Sequence, residues 1–181
     1  MSDKRPSAAA PVAAARKARA PLYTPEERRR RDASPWTLVQ GVLAPLQFLV
    51  FLVSLGLVIH YLRTGESLGA ATASIVTKTL VLYAIMITGS IWEKDVFGRY
   101  LFAPAFFWED VVSMLVLALH TAYLCTWMFG LAEPRTQMLI ALAAYASYAV
   151  NAAQFLVKLR AARRESIVAE SMMHTTSGVY E

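Results

Sequence analysis

Four stretches of this 181-residue chain, residues 36–62, 70–92, 111–130 and 136–157, are each apolar and long enough to cross a bilayer. A helix needs about 20 mainly apolar residues to span the hydrocarbon. In lipid every backbone amide must bond within the protein, which leaves packed helices as the economical solution for segments of this length. The expected fold class is all-α, an integral membrane four-helix bundle. The first span is long enough to tilt, and Pro45 within it is expected to kink it. Arg63–Gly69 and Leu131–Arg135 carry the Gly or Pro of short turns.

Charge gives the orientation. Of the 18 Lys and Arg residues, nine precede Trp36, four follow Val157 and two lie in the connection between spans two and three. Arg63 and Arg135 sit in the short turns, and Lys78 lies within a span. Basic residues collect on the cytoplasmic side, so both termini and the central connection are expected there. The same distribution argues against reading the net charge of +5 as a nucleic-acid surface. Residues 1–22 read as a disordered basic tail, without the apolar core of a cleaved signal. Residues 23–164 form the membrane domain, and residues 165–181 a C-terminal tail. Pro25 and the acids beside it mark a helix start ahead of Arg28–Arg31, a run suited to anionic headgroups. The single Cys125 excludes an intrachain disulfide and a cysteine-based metal site.

The central connection is the unusual part. "WEKDVFGRYLFAPAFFWED", residues 92–110, places four acids (Glu93, Asp95, Glu109 and Asp110) among seven large aromatics. It reads as an aromatic and acidic interfacial or shallowly re-entrant segment, broken into two pieces by Gly98 and Pro104. Polar stripes run from it into the spans. Glu109, Ser113 and His120 share one helical face, with His120 about 16 Å beyond Glu109. Gln40, Gln47, Ser54 and Tyr61 recur every seven residues. Lys78, Gly89 and Glu93 share a side of the second span. Ser147, Asn151, Gln154 and Lys158 form a stripe beside Tyr145 and Tyr148.

Each polar group has a plain structural reading as well. Amide and hydroxyl stripes join membrane helices by hydrogen bonds. Lys78 can snorkel outward, and His120 can be a hydrogen-bonded core histidine. Glu93 and Asp95 can pair with Lys94 and Arg99, while Glu109 and Asp110 suit a helix N-terminus. Their convergence at one membrane face favours a site for a flat, largely apolar molecule entering from the bilayer, with acids as proton donors. A bis-histidine haem lacks a second histidine at matching depth, and a di-iron bundle lacks its repeated Glu-x-x-His. Neither a phosphate loop nor a nucleophile elbow is present.

"TPEERRRRDASPWTLVQGVLAPLQFLVFLVS", "IWEKDVFGRYLFAPAFFWEDVVSMLVLALHTAYL" and "YAVNAAQFLVKLR" resemble the 3-vinyl (bacterio)chlorophyllide hydratase family, also called 2-vinyl bacteriochlorophyllide hydratase. The likeness runs from about Tyr23 to Arg164. It implies a hydro-lyase of the bacterial inner membrane that adds water to a vinyl group of a chlorophyllide-type tetrapyrrole, within bacteriochlorophyll biosynthesis. It implies no cofactor, magnesium entering only as part of the substrate, and other pigment-biosynthesis enzymes as partners; nucleic acid has no part. The chemistry then suggests roles. Glu109 or Glu93 donates the proton, and Asp110 or Asp95 orients water or balances charge. His120 or Asn151 binds the central magnesium or a water, and Trp92, Phe106, Phe107 and Trp108 line the ring slot. The rival reading is a non-catalytic pigment-binding subunit or assembly factor using the same slot; a small transporter is weaker, for want of an internal repeat.

Overall fold

The computed structural model describes residues 22–177, with side chains to residue 164; the basic tail ahead of Leu22 lies outside the described residues. Five helices follow one another: α1 (Pro25–Ala33), α2 (Pro35–Thr64), α3 (Leu68–Phe97), α4 (Phe107–Met128) and α5 (Pro134–Ser177). No strand occurs among the described residues. α2, α3, α4 and the part of α5 from Pro134 to Arg164 are long and apolar enough to cross a membrane.

Local chemistry sets the helix ends. Thr24 caps α1: its Oγ1 accepts from Glu27 N at 3.2 Å, while Glu27 Oε2 accepts from Thr24 N at 2.8 Å, a reciprocal capping box. Pro45 lies inside α2 without ending it. Gly65 and Gly98 stop α2 and α3 in the left-handed conformation, φ 76° and 80°, where a side chain would be strained. The third span ends at Met128, two residues short of expectation, and Gly130 follows with φ 61°. α3, at 30 residues, is about 45 Å long against a hydrocarbon thickness of about 30 Å, so its ends project beyond the apolar layer.

The helices pack as two hairpins. α2 lies closely along α3, and α4 along α5; contact between the hairpins, α2 with α5 and α3 with α4, is lighter, and α1 folds onto α3. The core holds Phe51, Val58, Ile75, Leu82, Val116, Tyr123 and Met138, with Ala141 and Ala144 allowing close approach on α5. Outward-facing Leu38, Leu80, Ile87 and Val157 are among the exposed apolar side chains suited to lipid. Four crossings put the start of α2, the connection between α3 and α4, and the far end of the α5 span at the same end of the bundle.

Residues 92–110 do not form a separate element. α3 continues through Phe97 and α4 starts at Phe107, because Gly98 supplies the left-handed stop and only residues 98–106 lie outside helices. Glu93 and Asp95 therefore stand at the end of α3 and Glu109 and Asp110 at the start of α4, on either side of a short loop.

Candidate active site at the α3–α4 end of the bundle

Glu93, Glu109 and Asp110 are buried, 4%, 8% and 7% exposed. The loop amides reach two of them: Ala103 N–H donates to Glu93 Oε1 at 2.5 Å, and Phe102 N–H to Asp110 Oδ2 at 2.7 Å. Phe102 adopts φ 59°, a left-handed backbone that costs a bulky residue about 1–3 kcal/mol. That turn aims two successive amides at two carboxyls, an anion-binding nest. Because these amides are successive, they hold the Glu93 and Asp110 carboxyls as neighbours between α3 and α4.

Glu109 has a different partner. Lys158 of α5 donates to Glu109 Oε2 at 2.5 Å and also to the carbonyl of Ala105, and its Nζ lies 4.7 Å from the centroid of Phe106. Asp95 stands apart: it faces α1 and α2, accepting from Ser34 Oγ at 2.8 Å. The structure thus brings Glu93, Asp110 and Glu109 to one end of the bundle and leaves Asp95 on its outer side.

The four aromatic candidates divide into two sets. Phe106 is buried at the centre of an inner cluster, with ring centroids of Trp92 at 5.7 Å, Phe97 at 5.8 Å, Phe155 at 6.0 Å and Tyr23 at 6.3 Å. Trp92 also donates to Thr37 Oγ1 at 2.9 Å, tying α3 to α2. The Arg31 guanidinium lies over Tyr23, and burial raises the phenol above its ordinary range, so the ring stays neutral. Phe107 and Trp108 instead lie on the surface, 45% and 69% exposed, edge to face with each other and with Phe102 tilted against Phe107.

Deeper polar residues form a second layer. Asn151 Nδ2 donates to Ser113 Oγ at 2.8 Å, joining α5 to α4 one turn inside Glu109. His120 is fully buried, with Nδ1 2.8 Å from the Val116 carbonyl; an acceptor there requires Nδ1 to carry the proton, leaving Nε2 with no protein partner. Lys78 does not snorkel. It is fully buried, its Nζ 4.0 Å from the Tyr148 centroid and without a hydrogen bond, since the rings of α5 close over it before it can reach the surface. Gln47 is buried without partners, whereas Ser54 bonds Tyr145 at 2.5 Å and Ser74 at 2.7 Å. Sequence reasoning missed the loop amides of Phe102 and Ala103 and the pairing of Lys158, although Lys158 stood on the α5 stripe.

These features define an α-helical multi-pass membrane protein with a buried carboxyl pair at one end of its bundle. The chain belongs to the 2-vinyl bacteriochlorophyllide hydratase family, whose model matches residues 23–161. It is 66% identical to the 2-vinyl bacteriochlorophyllide hydratase of Cereibacter sphaeroides over 150 residues, covering 82% of this chain and 92% of that protein. The protein of the same name from Rhodobacter capsulatus is 66% identical over 146 residues, 80% of this chain and 84% of the relative. Family membership makes the chain a hydratase, a carbon–oxygen lyase. No solved structure matches it.

Proposed function

We propose that this chain adds water across the C3 vinyl group of chlorophyllide a, or of a bacteriochlorophyllide, to give the 3-(1-hydroxyethyl) product in bacteriochlorophyll biosynthesis. The observation that carries the chemistry is the Glu93–Asp110 pair, two buried carboxyls from different helices held by successive loop amides. Protonation of the terminal vinyl carbon uses the π electrons to form the C–H bond and leaves a cation on the inner carbon, which the conjugated macrocycle delocalises. The pair is the donor in this reading. Glu109, held by Lys158, supplies negative charge toward the cation rather than the proton. Asp95, bonded to Ser34, keeps α1 against α3.

The exposed rings of Phe102, Phe107 and Trp108 grip the tetrapyrrole plane from the lipid side, and Trp92 and Phe106 form the wall behind them. His120 Nε2 is the group suited to the substrate's magnesium, as its lone pair has no protein donor. Hydration is redox neutral, so the proposal calls for no cofactor. Both termini and residues 98–106 face the cytoplasm, with that loop in the interfacial layer of the bacterial inner membrane, as the basic residues indicate. Neighbouring pigment-biosynthesis enzymes are the proposed partners in handing on the substrate.

The test is incubation of membranes containing the protein with chlorophyllide a, followed by chromatography and mass analysis. A more polar product heavier by one water, absent from control membranes, is expected. Pigment retained at unchanged mass would return the chain to the rival reading, a pigment-binding subunit without catalysis.

A further inference from the structure

Besides the acids, hydration needs a water held still beside the cation; Asn151 is one candidate from the sequence, and the structure sets Gln154 beside it on α5. Asn151 Oδ1 and Gln154 Oε1 are both buried and accept no hydrogen bond from the protein. Three residues apart on a helix, they lie on neighbouring positions of one face. Asn151 is 8% exposed, and its Nδ2 is anchored on Ser113 Oγ at 2.8 Å, so the planar amide must turn Oδ1 away from Ser113. Gln154 stands one turn from Lys158, and Ser113 one turn from Glu109, which join each other at 2.5 Å. Both residues therefore stand on the inner side of the Glu109–Lys158 pair. A buried carbonyl oxygen without a donor costs about 1–3 kcal/mol, a reason to expect a ligand that donates twice.

We infer that Asn151 and Gln154 bind the water that attacks the vinyl cation, accepting its two O–H groups and leaving an oxygen lone pair free. This rests on the hydratase reading and deepens it. The acceptor pair selects water among small molecules: two carbonyl oxygens repel an anion and suit a neutral double donor. When the Glu93–Asp110 pair has protonated the terminal carbon, the lone pair forms the C–O bond at the inner carbon. One water proton is released and returns to the depleted carboxyl pair. Atoms and charge balance over the cycle, and the net change is addition of H and OH across the double bond. Asn151 and Gln154 are water-positioning residues; the proton donor lies elsewhere.

Separating the two steps tests the assignment. In heavy water, wild-type membranes convert chlorophyllide a to a product with deuterium in its new methyl group. In Asn151→Leu and Gln154→Leu, hydration is expected to fall by about a hundredfold, the scale of a misplaced reactant. Protonation persists in these variants, so the cation reverts by losing a proton or a deuteron. Recovered substrate then accumulates deuterium at the terminal vinyl carbon. Gln154→Glu, which keeps an acceptor, is expected to regain much of the hydration lost in Gln154→Leu. Loss of hydration together with loss of vinyl exchange would overturn the water site, as would unchanged hydration in both leucine variants. A wild-type protein that forms no hydrated product would instead overturn the hydratase reading itself. Each variant is compared at equal amounts of membrane-inserted, pigment-retaining protein, and Gln154→Glu against Gln154→Leu decides the matter where Asn151→Leu does not fold.

Discussion

Replacing Lys158 by Met removes a cation but little volume, and it isolates the pairing that divides Glu109 from the other acids. Lys158 bonds Glu109 Oε2 at 2.5 Å and the Ala105 carbonyl, and the side chains of the ion pair are 23% and 11% exposed. Breaking a fully buried pair costs about 3–5 kcal/mol, because the surviving charge is stranded. A freely exposed pair is worth about 0–1 kcal/mol. With both side chains mostly but not wholly buried, Lys158→Met is expected to destabilise the protein by about 2–3 kcal/mol, scaled between those limits. For a chain of this size that corresponds to a fall of roughly 5–10 °C in Tm. Thermal unfolding in detergent, followed by fluorescence of the tryptophans, reads it, with Trp92 reporting from the neighbouring cluster. The decisive partner is Lys158→Met with Glu109→Gln, which removes the stranded charge. The double variant is expected to be more stable than the sum of the singles by about 1–2 kcal/mol, within the range for groups in direct contact. Additivity, or a single-variant loss below about 0.5 kcal/mol, would refute the pairing as a stabilising contact and free Glu109 to be considered as the acid again.

The remaining predictions concern the other parts of the site. Glu93→Gln and Asp110→Asn are each expected to lower hydration by about 100-fold or more while the protein stays inserted, measured as product mass per unit of membrane protein. Phe106→Ala, at the centre of the inner cluster, is expected to cost about 3–5 kcal/mol in detergent unfolding. Trp108→Ala, 69% exposed, is expected to change stability by less than about 0.5 kcal/mol and yet weaken pigment retention, read by absorbance of the purified protein. Lys78→Met removes a buried amine with no hydrogen bond and is expected to leave stability unchanged or raise it in the same unfolding assay.

The long apolar spans were legible because length and charge exclusion are read directly from sequence. So were the helical faces: Glu109, Ser113, Val116 and His120, aligned by spacing, all line the buried side of α4. Adjacent residues of the central connection were harder to tell apart. Phe106 precedes the first turn of α4 and points into the core, while Phe107 and Trp108 turn outward with the helix. The approach of Glu93 to Asp110 depends on where α3 stops and on the left-handed backbone of Phe102, which no periodicity announces. Lys158 lay on a recognised stripe, but its partner belongs to another helix, and one-dimensional spacing says nothing of contacts between helices.

The two-hairpin packing has a consequence for biogenesis. Each hairpin can insert with its own backbone satisfied, α2 with α3 first and α4 with α5 after it. Glu93 belongs to the first and Asp110 to the second, so on the proposed reading neither hairpin alone holds the donor pair. A half-assembled protein is then chemically silent toward a photoreactive pigment, and the reaction becomes available only when the hairpins have docked. Activity in this protein doubles as a report of completed tertiary assembly.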